Sequence, residues 1–117
     1  MHILLVSATR FEVGPLLNRL TPSGPITEHL CSYHYKGHQA DLLVPGVGML
    51  KTAFHLGYQL AGTTYDVAIN AGIAGTLRDD FPIGTVVQVE EDTLPELAAQ
   101  EDGRMVLLTI LTGIRVT

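Results

Sequence analysis

Apolar positions change their period several times along the chain, and each change marks an element. His2 to Ser7 holds the unbroken run Ile3-Leu4-Leu5-Val6, and a short run rich in branched residues predicts a buried strand. Over residues 10–20, Val13, Leu16, Leu17 and Leu20 recur at helical spacing and predict a helix with one apolar face. Pro22, Gly24 and Pro25 predict a loop between Leu20 and Ile26. Residues 27–35 and 38–44 are strand-like and are separated by Lys36-Gly37, a two-residue turn that suits a tight hairpin. Leu50, Ala53, Phe54, Gly57, Leu60 and Ala61 give residues 49–61 an apolar helical face, with Gly62 as the C′ residue. Gly57 on that face predicts close packing against a sheet. Asp66 to Ala71 and Ile83 to Val89 predict two further buried strands, and residues 104–111 one more. Strands alternating with helices imply an α/β architecture, and the hairpin makes the sheet mixed rather than all parallel.

Composition narrows the class. The chain has 117 residues, 46% of them hydrophobic and 16% charged, the profile of one globular domain or part of one. Seven Lys+Arg against twelve Asp+Glu leave a net charge of −5, which argues against nucleic-acid binding. Cys31 is the single cysteine and can build neither a disulfide framework nor a zinc site. No apolar run is long enough for a signal-peptide core or a membrane span, so no membrane partner is expected and the chain reads as cytoplasmic. Residues 79–102 hold eight of the twelve acids and no Lys or Arg, a solvated acidic stretch more than a metal site. Neither a dinucleotide glycine register nor a P-loop lysine is present, so no cofactor is expected.

Three segments could carry chemistry. Gly46-Val47-Gly48 follows a strand and opens a helix, where glycines let backbone approach a ligand; a structural turn explains it equally well. Asn70 to Gly75 (NAGIAG) is a second strand end with glycines, and ligands of open α/β sheets bind outside the carboxyl ends of strands. The two ends could form one pocket, or Gly72 and Gly75 could serve only a tight turn. Glu12 follows the first strand at the same kind of end. Thr9-Arg10-Phe11-Glu12 spells a capping box, with Glu12 bonding back to the Thr9 N–H. Pro15 disfavours a regular helix starting that early and is better placed in a first turn. Capping and catalysis both stay open for Glu12. The five histidines, His2, His29, His34, His38 and His55, form no metal-binding pair on one element, and Cys31 is expected to be a small buried or half-buried residue.

The ILLVSATRFEV start, the PGVG turn into a helix, and NAGIAGTL followed by FPIGTVVQVEEDT together resemble the nucleoside phosphorylase/nucleosidase superfamily. The ATRFE segment and the EEDT…AAQEDG pattern are most similar to its futalosine hydrolase branch. The resemblance covers most of residues 1–103. It implies a three-layer α/β/α sandwich around a mixed sheet, of which this chain would be the N-terminal half of a single domain. It also implies cleavage of the N-glycosidic bond of a purine nucleoside, with hypoxanthine released from futalosine. By position, Glu12 matches the acid that activates water, Gly48 the loop near the ribose, and Ala71, Gly72, Ile73 and Ala74 the segment lining the base and ribose pocket. Methylthioadenosine/adenosylhomocysteine nucleosidase is the alternative within the superfamily. A phosphorylase would need arginines around phosphate, and Val67 to Asn70 hold none. Ile73 stands where a hydroxyl residue is common in the family. Members are roughly twice this long, and the segments that grip the ribose hydroxyls and assist the leaving base have no counterpart here. An inactive nucleoside-binding fragment is therefore the third reading. Half a sheet exposes apolar edges and is expected to form a homo-oligomer.

Overall fold

The structure, a computed structural model, describes residues 1–90. Its centre is strand β1 (His2–Val6). β1 pairs in parallel with β4 (His38–Leu43) on one side and β5 (Val67–Asn70) on the other. β3 (Leu30–Tyr35) runs antiparallel to β4, and β2 (Thr21–Ile26) antiparallel to β3, giving a mixed five-stranded sheet of order β2-β3-β4-β1-β5. The expected hairpin is present: Lys36 and Gly37 both take positive φ, 46° and 79°, the signature of the turn whose twist matches paired strands.

Alternation along the strands sends side chains to two faces. Leu5, Cys31, Tyr33 and Leu42 point to one, where Val13, Ala71, Leu17 and Leu20 close over them. Leu4, Val6 and Leu43 point to the other, beneath Leu56 of helix α2 (Met49–Gly62) and Tyr65. The sheet therefore lies between two covering layers, and β1, walled on both faces, is the buried strand its unbroken apolar run implies. No helix of the described residues is long and apolar enough to cross a membrane.

Several expectations are corrected. The single helix over residues 10–20 is instead a 3-10 turn (Phe11–Val13) followed by the short α1 (Gly14–Leu17), with Pro15 in its first turn. A helix continuous from Phe11 would drive the Pro15 ring into the Phe11 carbonyl. The segment expected as a loop is the strand β2, at the edge of the sheet among the described residues, where Pro22 and Pro25 face no further described strand and a register irregularity absorbs them. β5 is present but largely exposed, because among the described residues it pairs only with β1. Residues 83–89 form no strand: Gly84 with φ 90° sits in a turn closed by Thr85 N–H donating to the Pro82 carbonyl, and the segment's one pairing is an isolated bridge at Val89.

The largest correction concerns α2. The face toward the sheet carries Thr52, His55, Leu56 and Gln59. The apolar face expected to pack, with Gly57 in its middle, points away, and nothing but the adjoining backbone of the helix itself lies within 4 Å of a Cβ built on Gly57. The inward polar residues have partners that explain the rotation. Gln59 Nε2 donates to Tyr65 Oη at 2.6 Å, and the His55 ring packs tilted against that of His29, with centroids 4.2 Å apart. The strand expected at 104–111 and the acidic stretch beyond Glu90 lie outside the described residues. Within them, Asp79 and Asp80 are exposed, and Asp80 pairs with Arg78.

Candidate functional site

Because β1, β4 and β5 are mutually parallel neighbours, their carboxyl ends lie on one edge of the sheet. That edge gathers all three segments of interest: Ser7 to Glu12 after β1, Gly46 to Gly48 after β4, and Ala71 to Ala74 after β5. Ser7 is fully buried, anchors the first loop through its N–H to the Leu43 carbonyl, and donates its hydroxyl to the Thr9 carbonyl at 3.0 Å. Arg10 pins the same loop from outside, donating to the Thr27 carbonyl at 3.3 Å and to the buried Cys31 Sγ. The thiol is thus a buried packing group, as its lack of a motif implies.

The carboxylate of Glu12 is held from two sides. Thr9 Oγ1 donates to Oε1 at 3.1 Å, and the Ile73 N–H donates to Oε2 at 3.2 Å. Thr9 does not act as a capping box: the residue preceding the 3-10 turn is Arg10, no side chain caps it, and the Thr9–Glu12 contact joins side chain to side chain. The bond to Ile73 spans from the first loop to the end of β5, a tertiary contact no local cap would make. Two charge-assisted bonds fix the carboxylate and leave lone pairs free to accept further protons.

Gly72 makes this approach possible. A Cβ there would sit 2.6 Å from Glu12 Oε2. Its φ is not positive, so what the structure asks of Gly72 is space rather than an unusual backbone. Gly72→Ala is expected to push the carboxylate off the Ile73 N–H. Because the obstructing atom ends a side chain that can swing aside, stability should change by less than ~1 kcal/mol. Any activity that depends on Glu12 should fall about tenfold or more. Urea unfolding beside a rate measurement separates the two effects.

Ala71 is buried, with its N–H donating to the Val6 carbonyl at 2.8 Å. The side chains of Ile73 and Ala74 are exposed at the same edge. Gly48 precedes α2 with φ 110° and ψ 148°, a conformation open to glycine alone, and its carbonyl accepts from the Thr52 N–H and hydroxyl. Among the described residues no hydrogen bond joins Gly48 to Glu12; the two share the edge without touching. His29 lies near this edge, its Nδ1 3.0 Å from the Val44 carbonyl just before the glycine turn. Among the described residues no cluster of three or more His, Cys, Asp or Glu could hold a metal ion. Thr9 is the member the sequence conceals, since its spacing to Glu12 spells a cap.

A family model described as the phosphorylase superfamily matches residues 2–104. The chain belongs to the phosphorylase superfamily. Futalosine hydrolase of Streptomyces coelicolor is 26% identical over 106 residues, covering 86% of this chain and 45% of that protein. Among solved structures, a 5'-methylthioadenosine/S-adenosylhomocysteine nucleosidase from S. pneumoniae with the transition-state inhibitor MT-ImmA superposes with a TM-score of 0.72. It is 20% identical, over 95% of this chain and 51% of that one. An S-adenosylhomocysteine nucleosidase from Streptococcus pyogenes, in complex with 5-methylthiotubericidin, gives a TM-score of 0.66 at 24% identity, over 95% of this chain and 50% of that one. The fold is thus that of superfamily members, and this chain spans about half the length of those relatives.

Proposed function

We propose that this chain forms the N-terminal half of a nucleosidase domain that hydrolyses the N-glycosidic bond of a purine nucleoside, with Glu12 activating water. The observation that carries the reading is the clamp on Glu12: a carboxylate held by Thr9 and the Ile73 N–H at the shared strand ends. Breaking an N-ribosyl bond builds positive charge on the sugar ring. A fixed carboxylate beside that ring both takes a proton from water and opposes the cation. Gly48, Ala71, Gly72, Ile73 and Ala74 line the nucleoside subsite in this reading.

Water is favoured over phosphate as the nucleophile. Arg10, the one arginine of the first loop, is engaged by Thr27 and Cys31, and β5 carries none. Futalosine is the leading substrate, in keeping with the relative from Streptomyces coelicolor, and methylthioadenosine the second, in keeping with the streptococcal structures. A second acid for the leaving base and the ribose grip belong to the other half of the domain, so the 117 residues alone should turn over weakly or not at all. A second copy of the chain is its proposed partner.

Chromatography of free base, from futalosine and methylthioadenosine in parallel and without phosphate, tests the reading on this chain and on any longer form of it. Hypoxanthine from futalosine is the expected product. Adenine from methylthioadenosine alone would transfer the assignment to the second substrate, and turnover that requires phosphate would overturn the hydrolytic reading.

A further inference from the structure

The chain has only seven Lys+Arg, and one of them stands where a helix disfavours it. Lys51 lies in the first turn of α2, the positive end of the helix dipole, and no acidic residue in that turn offsets it. A placement that works against its own helix is of the kind that functional sites keep. The side chain folds back across the glycine turn: a Cβ built on Gly46 would lie 3.4 Å from Lys51 Cδ and 3.8 Å from Nζ. Two histidines stand beside it. His55 is one helical turn on from Lys51, on the same flank of α2, and its ring packs against that of His29 with centroids 4.2 Å apart. His29 is fixed at the start of the turn, its Nδ1 3.0 Å from the Val44 carbonyl; a carbonyl only accepts, so that nitrogen carries a proton. Three basic side chains, from α2 and the loop between β2 and β3, thus gather around Val44 to Gly46. Among the described residues the ion pairs are His2–Asp41 and Arg78–Asp80, so no acid answers this cluster.

We propose, building on the nucleosidase reading above, that this cluster receives a carboxylate carried on the sugar-side arm of the nucleoside, and that Lys51 is the residue that reads it. The turn is common to both sites. Gly48, which ends it, lines the nucleoside subsite in that reading, so a ligand with its ribose at Gly48 extends its arm over Gly46 to the ammonium. A lysine ammonium brings three donors on a flexible stem, which suits a carboxylate at the end of an arm. In a chain of net charge −5, a local positive cluster at the ligand edge of the sheet also draws an anionic substrate in and turns away a neutral one less well matched to it. Futalosine carries such a carboxylate and methylthioadenosine carries none, so the cluster favours the first of the two substrates and names its class: a purine nucleoside with an acidic arm.

Titration calorimetry of the 117-residue chain with futalosine and with inosine, which has the same base and ribose but no arm, is the test, with Lys51→Gln and Lys51→Arg beside the wild type. Futalosine is expected to bind the wild type more tightly than inosine. Lys51→Gln should weaken futalosine about tenfold or more, the worth of a charge-assisted hydrogen bond, and leave inosine nearly unchanged. Lys51→Arg keeps the charge and should keep most of the affinity. Added salt should erode the advantage of futalosine in the wild type and not in Lys51→Gln. Removing a cation from the first turn of α2 relieves the helix, so the thermal midpoint of Lys51→Gln should not fall, which separates a lost contact from a lost fold. Futalosine binding that Lys51→Gln leaves unchanged would overturn the carboxylate subsite while the nucleosidase reading stands. Equal weakening of futalosine and inosine would overturn it too, placing Lys51 at the part they share. Binding of neither nucleoside to the wild type would overturn the nucleosidase reading and the subsite with it.

Discussion

Asp41→Asn is expected to destabilise the fold by about 3 kcal/mol, the cost of dismantling a buried charge and its hydrogen bonds. Asp41 sits on β4, on the α2 side of the sheet, and is only 4% exposed. Its Oδ1 accepts from Ser32 Oγ at 2.7 Å, and its Oδ2 accepts from His2 Nε2 at 2.8 Å and Tyr65 Oη at 2.9 Å. The carboxylate can only accept, so His2 carries its proton on Nε2 in this contact. Tyr65 is in turn fed by Gln59, which ties β1, β3, β4 and the last turns of α2 to one group. Asparagine keeps the shape but offers one acceptor oxygen to donors that need two. Ser32→Ala and Tyr65→Phe remove one donor each and should cost about 1 kcal/mol apiece; urea midpoints measure all three.

The same network sets both ends of the pH profile. Burial pushes the Asp41 carboxyl up, but the bonds from Ser32, His2, Tyr65 and Gln39 together outweigh it and hold it below its ordinary 3.8. A depressed carboxyl adds stability above the unfolded value and loses it as pH falls through the folded one. Acid unfolding should therefore steepen below pH 3.8, and Asp41→Asn should flatten that limb. Burial, reinforced by Asp41 against the opposing bond from Gln59, lifts the Tyr65 hydroxyl from 10.0 to about 12. A raised phenol gives full stability below its unfolded value and loses it as pH rises through the folded one. Thermal midpoints should accordingly drop between pH 10 and about 12, and Tyr65→Phe should remove the drop.

The second large effect is chemical. In any form of the protein that releases base, Glu12→Gln should lower turnover by about 10²–10⁴-fold, the range for removing a positioned general base. Nucleoside affinity should stay nearly the same. The amide keeps one oxygen to accept from the Ile73 N–H, and its NH₂ can donate to Thr9 Oγ1, so the clamp survives without the charge. Loss of rate with binding retained marks an interaction made in the transition state. An active Glu12→Gln protein would leave Glu12 a structural tie between the first loop and β5.

Much of the fold is legible in the chain because local chemistry and tertiary packing agree there. β1 reads as buried from four consecutive apolar residues, and it is walled on both faces. Lys36-Gly37 reads as a hairpin turn, and its two positive φ values are what such a turn demands. The failures come where partners decide. α2 has the expected length, but its orientation is set by Gln59 and His55 meeting Tyr65 and His29, and a helical wheel cannot see those contacts. β2 is a strand despite two prolines because, among the described residues, it lies at an edge that asks for no further donors. At the site, Gly72 and Glu12 stand out as types at strand ends, but their contact spans sixty residues of chain and appears only when β1 and β5 pair. Asp41 had a quieter signal, a lone acid inside an otherwise sheet-forming run, which announces a buried network only once Ser32 lies opposite it.

Nucleoside binding at the Glu12 clamp can be measured without any turnover from the 117-residue chain. Futalosine and methylthioadenosine would be titrated in turn into the isotopically labelled wild type and Glu12→Gln proteins, with every backbone amide followed by NMR. Saturable shifts of the Gly72 and Ile73 amides are expected in both proteins, while Lys36 and Gly37, at the far end of the hairpin, stay still. No saturable shift with either nucleoside, or shifts that avoid Gly72 and Ile73, would contradict a nucleoside site at the clamp.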